Sequence, residues 1–289
     1  MPLTYVLITP ARNEAEFIER TIQSMIAQTC LPLKWVIVSD GSTDGTDDIV
    51  KKYLSNYRWI ELIRTPERKE RHFAGKVMAF NAGYAKVKNL NYDIIGSLDA
   101  DISFDPEYFS FLLSQFSKYP ELGVAGTPFV EDGRHYDFRF ASTDHVSGAC
   151  QLFRKECFES IGGYKPLKVG GIDLVAVTTA RMHNWETKTF TEKNSQHHKI
   201  TQSDRNTNLI AVFKSGYHDY LMGSSPLWQI LRSIYQMTNK PFVLRGIYFF
   251  IGYFWAMLKN AERPVSDEFI QFRRKEQIIR IKKLLFRRP

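Results

Sequence analysis

The sequence has few cysteines and no long uncharged apolar run. Its 289 residues include three cysteines, none of which forms a C-x-x-C pair, so a disulfide scaffold and a cysteine zinc site are excluded. No stretch offers the roughly 20 uncharged apolar residues of a membrane span, and no basic segment followed by an apolar one marks a signal peptide. We therefore expect a protein of the reducing cytosol.

Several common nucleotide and metal motifs are also missing. The sequence contains no P-loop, no G-x-G-x-x-G dinucleotide pattern and no H-E-x-x-H zinc motif. What is present is the balance of a folded protein, with 44% apolar and 24% charged residues. If a phosphate group is bound, it is held by basic side chains and a metal ion rather than by a glycine loop.

The positive charge lies at one end of the chain. Residues 240–289 hold twelve Lys or Arg and four Asp or Glu, which accounts for the whole net charge of +8. The remaining 27 basic and 27 acidic residues of 1–239 cancel, and they carry no groove-reading motif. This distribution argues against a nucleic-acid-binding protein and favours an anionic membrane surface as a partner of the tail.

Short apolar runs alternate with segments of helical period through the first half of the chain. Strands are predicted at 5–8, 35–38, 59–63 and 92–98, and helices at 18–26, 49–54, 75–87 and from Pro106 onward. This alternation predicts an α/β fold with a mostly parallel sheet covered by helices on both faces. Residues 128–147 indicate loop or irregular strand, 226–258 a helix-rich apolar region, and 268–288 a basic amphipathic helix.

Polar residues follow three of the predicted strands. They are Thr9 to Glu14, Asp40 to Gly45, and Asp99 to Asp101. Since parallel strands end at one edge of a sheet, these clusters converge on a single crevice. Alternate side chains share a face in extended chain, so Asp99 and Asp101, a D-x-D pair, suit Mg²⁺ or Mn²⁺ with a substrate phosphate.

Five segments taken in series resemble the family-2 glycosyltransferases of the GT-A fold. They read LITPARNEAEFIERTIQSMIAQT, VIVSDGSTDGT, GKVMAFNAGY, SLDADISFDPEYF and SGACQLFRKECFESIGGY, and they run from about Leu3 to Asp173. The resemblance implies a Rossmann-like GT-A domain and an inverting hexosyltransferase-type enzyme that uses Mn²⁺ or Mg²⁺. It implies a nucleotide-diphosphate sugar donor, with UDP favoured and dTDP or GDP as alternatives, and a saccharide or lipid-linked acceptor in cell-surface glycan assembly.

The resemblance also implies roles for individual residues. The metal would be held by Asp101 and Asp99, with His198 as the candidate third ligand beside its neighbour His197. The nucleotide-binding residues would be Thr9, Pro10, Ala11, Glu14, Asp40, Ser42, Arg71, Lys76 and Asp99. The basic segment from Arg68 to Lys76 could equally be a solvated loop.

Asp173 is the candidate catalytic base. The family often presents two adjacent acids here, whereas this chain has Ile172 before Asp173, and an N-cap role for Asp173 stays open. Asp144 and Asp137 are the alternative bases. The Q-x-x-R-W motif of polymer-forming members is missing, which disfavours a processive synthase.

The predicted organisation is a catalytic domain over 1–225 and a helical, basic region over 226–289. The domain divides into a nucleotide-sugar half at 1–127 and an acceptor half at 128–225. Residues 246–258 are uncharged and too short to span a bilayer, so a core helix and an interfacial helix both stay open. We expect a peripheral protein at the cytoplasmic face of the membrane. The alternatives are a sugar nucleotidyltransferase and a non-catalytic basic protein that binds membrane or nucleic acid.

Overall fold

The computed structural model describes residues 2–67, 73–133, 142–199 and 208–285. The chain forms two compact units, Met1–Ile200 and Thr201–Pro289. The division falls earlier than the boundary that the sequence predicts after residue 225. The physical reason is a helix at Leu209–Leu221, which packs against a later helix, Leu244–Leu258, rather than continuing the first unit.

Ten strands are described in the first unit. They are β1 Tyr5–Ala11, β2 Lys34–Asp40, β3 Ile60–Thr65, β4 Ile94–Leu98, β5 Ile102–Ser103, β6 Leu122–Gly126, β7 Phe129–Glu131, β8 Cys150–Arg154, β9 Glu186–Thr189 and β10 Ser195–His197. Its helices are α1 Ile18–Ile26, α2 Thr46–Leu54, α3 Ala74–Val87, α4 Tyr108–Lys118, α5 Lys155–Ser160 and α6 Ile172–Met182. The four predicted strands of the first half are β1 to β4, and the predicted helices are α1 to α4.

In the part of the chain that the structure describes, the main sheet has seven strands in the order β3-β2-β1-β4-β8-β6-β9. Strands β1 to β4 pair in parallel, as does β6 with β9, whereas β8 runs antiparallel to both of its neighbours. A separate three-stranded sheet has the order β5-β10-β7. The predicted α/β class with a mostly parallel sheet is therefore confirmed.

Alternation along β1 explains why helices cover both faces of the sheet. Tyr5 and Leu7 belong to one buried apolar cluster, whereas Val6 and Ile8 belong to a second. The first cluster includes side chains of α1, α2 and α4, and the second includes side chains of α3, α5 and α6. A strand buried on both faces reads as a continuous apolar run, which is the pattern seen in the sequence.

The second unit consists of four helices in the described residues, α7 Leu209–Leu221, α8 Pro226–Gln236, α9 Leu244–Leu258 and α10 Asp267–Leu285. Helices α7 and α9 approach very closely at two glycines. A Cβ on Gly216 would lie 2.0 Å from the carbonyl oxygen of Phe249, and one on Gly252 would lie 2.0 Å from that of Phe213. Backbone contact of this kind requires glycine at both positions.

Helix α10 lies where the sequence predicts the basic helix, but its apolar stripe is less regular than predicted. Ile281 is buried as expected, whereas Ile278 is largely exposed. The buried side of α10 includes a polar residue, Gln277, whose side-chain oxygen accepts from the backbone N–H of Ser225 at 2.8 Å. The helix is therefore held to its unit partly by hydrogen bonds.

Candidate active site

Strands β1, β2 and β4 end at the same edge of the main sheet. They are neighbours and run parallel, so the segments that follow them are brought together. The order of strands reverses between β1 and β4, because the chain adds β2 and β3 on one side and then returns to the other. Such a reversal opens a crevice at the carboxyl edge, which is where α/β sheets bind ligands.

The end of β1 turns its side chains away from this crevice. Thr9 is buried, and its hydroxyl oxygen accepts a hydrogen bond from the indole N–H of Trp35 at 2.9 Å. Ala11 lies in the apolar core, and Pro10 is half-buried. This segment therefore offers its backbone, rather than its side chains, to a ligand.

Asp40 closes β2 and is buried. The hydroxyl of Thr65 donates to its Oδ1 at 3.2 Å, and Nη1 of Arg12 lies 3.8 Å from its Oδ2. The backbone N–H of Asn13 donates to Ser42 Oγ at 3.1 Å, which joins the segments after β1 and β2. These bonds fix Asp40 and Ser42 beside the end of β1.

Glu14 carries one satisfied and one unsatisfied oxygen. Lys199 Nζ donates to its Oε1 at 2.6 Å, whereas its Oε2 is buried and has no hydrogen-bond partner in the described structure. Burial raises the pKa of Glu14 and outweighs the lowering by Lys199, and Asp99 adds repulsion. Glu14 and Asp99 are therefore close enough to interact electrostatically.

Lys76 connects the end of β4 with the segment before β8. Its ammonium group donates to Asp99 Oδ1 and lies 3.4 Å from the carbonyl oxygen of Gly148. Burial lowers the pKa of Lys76, but the attraction of and hydrogen bond to Asp99, together with the charges of Asp173 and Asp101, outweigh it, so the net pKa is raised. A fully charged lysine thus stands among three carboxylates.

Asp101 lies against His197, which belongs to β10, the central strand of the small sheet. The register of β10 places His197 opposite Ile102 on β5 and opposite Glu131 on β7. His197 Nε2 is 3.4 Å from Asp101 Oδ2, and its Nδ1 is 2.7 Å from Glu131 Oε2. The imidazole is therefore held between two buried carboxylates.

The environment of the Asp101 carboxylate is suited to binding a cation. Burial, followed by repulsion from Asp99, raises the pKa of Asp101 to about 6, and its Oδ1 is buried without a hydrogen-bond partner. Among the described residues, however, no group of three or more His, Cys, Asp or Glu could hold a metal ion. A hard cation would thus need oxygen ligands from a bound phosphate as well.

His198 points to different partners. Its Nε2 lies 2.8 Å from Ser103 Oγ and its Nδ1 lies 3.4 Å from Arg20 Nη1. Burial, together with the charge of Arg20, lowers its pKa. Its role as a metal ligand stays a prediction, and its neighbour His197 is the one whose ring lies against Asp101.

Asp173 lies in the first turn of α6. The cap position is Gly171, at φ 79°, and no side-chain cap bond is made there, so Asp173 does not act as the N-cap. Its Oδ2 is 3.8 Å from His145 Nε2, and a Cβ on Gly148 would lie 3.2 Å from the Asp173 Cβ. Gly148 therefore lets the carboxylate approach the segment before β8, where Lys76 also makes contact.

Three predicted residues have not yet been placed, Arg71, Asp137 and Asp144. Arg71 and Asp137 lie outside the described residues. Asp144, an alternative base, is exposed and accepts from Ser142 Oγ at 2.9 Å. The site thus gathers Asp99, Asp101, Lys76 and Asp173 on one side, with Asp40 and Ser42 at the neighbouring strand end.

Comparison with known proteins decides the family. Residues 6–162, more than half of the chain, match the model described as Glycosyl transferase family 2. The chain belongs to glycosyl transferase family 2. As a member it is a glycosyltransferase, which confirms the resemblance seen in the five motifs.

Curated relatives match part of this family-2 chain. A poly-beta-1,6-N-acetyl-D-glucosamine synthase of Staphylococcus aureus (strain COL) is 27% identical over 170 residues, and the Staphylococcus epidermidis protein of the same name is 25% identical. Each match covers 52% of this chain and 39% of the relative. The chain thus aligns with about two-fifths of those proteins.

Solved structures share the fold. A mannosyltransferase from Pyrobaculum calidifontis, in complex with GDP-Man and Mn²⁺, superposes with a TM-score of 0.61 at 17% identity and covers 100% of this chain and 89% of that one. TarS 1–349 of S. aureus, in complex with UDP-GlcNAc, gives 0.57 at 13% identity, with 95% and 83% covered. These likenesses confirm the predicted GT-A fold.

Proposed function

We propose that this family-2 enzyme transfers a sugar from a nucleotide-diphosphate donor to a hydroxyl of a saccharide or lipid-linked acceptor, with inversion and with a divalent cation. The carrying observation is that Lys76, Asp99, Asp101 and Asp173 meet at one edge of the sheet. A cation site, a phosphate-binding lysine and a candidate base within one crevice are the parts that this reaction needs.

The donor nucleotide would lie over the ends of β1 and β2. Asp40 would accept from the base, the backbone of residues 9–11 would flank it, and Ser42 and Glu14 would border the site. UDP is our first choice, with dTDP and GDP as alternatives. Two neighbours of the same fold, named with UDP-GlcNAc and with GDP-Man, support the class of donor rather than its identity.

The residues present fit Mn²⁺ or Mg²⁺ at Asp101 and Asp99. The Oδ1 of Asp101, which is buried without a hydrogen-bond partner, supports this, and the ring of His197 lies 3.4 Å from the other oxygen of that carboxylate. When bound, the cation supplies positive charge against the diphosphate. Lys76 would add a second positive charge on the other side of Asp99.

The chemical step rests on Asp173. Its carboxylate would accept the proton of the acceptor hydroxyl while that oxygen forms a bond to the anomeric carbon. The bond between the anomeric carbon and the diphosphate oxygen breaks, and Lys76 stabilises the charge that develops on the leaving group. Attack from the face opposite the leaving group inverts the anomeric centre.

We further propose a place in cell-surface glycan assembly, with the protein at the cytoplasmic face of the membrane. The curated relatives, named as poly-beta-1,6-N-acetyl-D-glucosamine synthases, support this setting for the family-2 domain. Among the described residues no helix is long and apolar enough to cross a membrane. A lipid-linked acceptor would bring the enzyme to a bilayer surface.

The direct test is a thermal-shift screen of UDP, dTDP and GDP with Mn²⁺, followed by product analysis of the matching nucleotide sugars. A ligand that binds the native state raises the melting temperature, and we expect one nucleotide to do so only with the cation. Asp40→Ala should reduce that rise in melting temperature and make the rises caused by the three nucleotides more alike. Turnover should release a nucleoside diphosphate. Release of pyrophosphate would instead identify a sugar nucleotidyltransferase.

A further inference from the structure

Helix α8 buries polar residues and exposes its apolar stripe. A surface helix normally buries its apolar stripe and exposes its polar one. In α8 the polar Gln229 and Ser233 are buried, whereas the apolar residues at helical spacing are exposed, with Ile234 exposed by 56%. These outward residues are Leu227, Ile230, Leu231 and Ile234.

Helix α9 is apolar on both sides. Phe249 and Tyr253 pack inward with three small residues, whereas a second set of large apolar side chains faces outward, up to Leu258 at 76% exposure. The outward residues are Leu244, Ile247, Tyr248, Phe250, Ile251, Trp255 and Leu258. Folding this unit therefore leaves an apolar stripe of each helix in contact with solvent.

The two exposed stripes belong to adjoining helices. Gln229 Nε2 donates to the carbonyl oxygen of Phe249 at 3.4 Å, and a Cβ on Gly246 would lie 2.3 Å from the carbonyl oxygen of Ser233. The polar side of α8 is thus the side that meets α9. We call the outward residues of α8 and α9 the apolar face. Monomeric proteins seldom expose a continuous patch of this kind unless it binds something.

The stretch of chain that carries the apolar face has charges of one sign only. No Asp or Glu occurs between Asp219 and Glu262, whereas Arg232, Lys240, Arg245 and Lys259 do. Lys240 is exposed, and the exposed Lys259 lies with its ammonium group 5.1 Å from the centre of the Trp255 ring. Apolar side chains bordered by cations and an indole suit the interface of an anionic bilayer.

In the basic helix α10, by contrast, three arginines make contacts within their own unit. Arg273 donates to Ser224 Oγ at 3.1 Å, Arg274 donates to the carbonyl oxygen of Gly223 at 3.3 Å, and Arg280 lies over the Trp228 ring. The exposed cations of its described side chains are Lys275, Lys282 and Lys283. Lipid contact is therefore better served by α8 and α9 than by the tail alone.

We propose that the apolar face of α8 and α9 is a docking surface for an anionic lipid bilayer. Both helices lie in the interfacial region of the bilayer and do not cross it. This deepens the proposed function, because it gives the enzyme a means of reaching a lipid-linked acceptor. Binding through the face combines apolar burial with attraction of Lys240 and Lys259 to lipid headgroups.

The test is sedimentation of the full chain with vesicles of phosphatidylcholine, with and without one third phosphatidylglycerol. The variant Leu231→Glu/Ile234→Glu should lose about tenfold or more of its partitioning, since each glutamate replaces a side chain that would enter the interface. The matched control is Leu31→Glu/Leu33→Glu, which adds the same charge at similarly exposed leucines of the first unit and should bind like the parent.

Two further measurements keep the inference open to refutation if a glutamate variant misfolds. Trp255→Phe should fold normally and remove most of the fluorescence blue shift that vesicles cause. In about 1 M salt, where charges are screened beyond roughly 3 Å, a fraction of the parent should stay bound through the apolar face. Complete release by salt, or loss of binding in Lys275→Glu/Lys282→Glu/Lys283→Glu but not in the α8 variant, would overturn the proposal.

A vesicle-free dimer that the α8 variant dissociates, with no vesicle binding by the parent, would show that a second copy covers this face and would also overturn it. Vesicle binding is measured without donor or acceptor. Docking without sugar transfer would therefore count against the proposed function alone, and transfer without docking would count against this inference alone.

Discussion

Lys76 donates a hydrogen bond to Asp99 at the carboxyl end of β4, and the same ammonium group lies near the backbone of Gly148. The lysine therefore bridges the end of β4 and the segment that packs on Asp173. Its positive charge is held in place before any ligand arrives, which is the arrangement that stabilises developing charge without reorganisation.

Replacing Lys76 by methionine should lower kcat/KM for the donor by about 10²-fold, the usual effect of removing a preorganised donor from a site of developing charge. The measurement is steady-state release of nucleoside diphosphate. Lys86→Met, on the exposed side of the same helix, is the control and should leave kcat/KM unchanged. Equal rates in the two variants would show that Lys76 does not stabilise the leaving group.

Asp101→Asn should stabilise the protein when a chelator is present. The folded-state pKa of Asp101 is raised from 3.8 to about 6, so wild-type stability falls as the pH rises from about 4 through 6 and the carboxylate ionises in place. Because asparagine cannot ionise, the variant does not lose this stability. Its melting temperature should exceed the parent's at pH 7.5 but match it near pH 4. With Mn²⁺ and the nucleotide present the order should reverse, since only the parent binds both. Differential scanning fluorimetry at several pH values checks both halves.

Gly252→Ala should destabilise the second unit strongly. The added Cβ would fall 2.0 Å from the carbonyl oxygen of Phe213, so α7 and α9 must separate, at a cost of about 1–3 kcal/mol or more. Ser215→Ala, on the exposed surface of α7, should change little. Urea unfolding followed by circular dichroism measures the difference. An unchanged midpoint in Gly252→Ala would contradict the close approach of these helices.

The strands that the sequence predicts are those with long buried apolar runs. β1, β2 and β4 contain uninterrupted apolar runs because both of their faces are covered, whereas β3 is recognised by the apolar residues that flank Glu61. β8 and the small sheet of β5, β7 and β10 are not predicted, because they are short and their pairing depends on partners far along the chain. Local pattern carries no information about such pairings.

The same distinction applies to the site. Asp40, Asp99 and Asp101 can be found from sequence because they follow predicted strands. The place of His197 between Asp101 and Glu131 follows from the register of β10 with β5 and β7, which the sequence does not reveal. The nearness of Lys76 to Gly148 likewise depends on how α3 and β8 pack.

Asp173→Asn compared with the parent tests the central claim most directly. Donor hydrolysis, with water in place of the acceptor, and transfer to added acceptors should both fall by about 10²–10⁴-fold, because the proton acceptor is lost. The affinity for Mn²⁺ and nucleotide, measured by calorimetry, should stay unchanged, and Asp144→Asn should behave like the parent. A near-normal rate in Asp173→Asn, or the loss of rate in Asp144→Asn instead, would contradict the account.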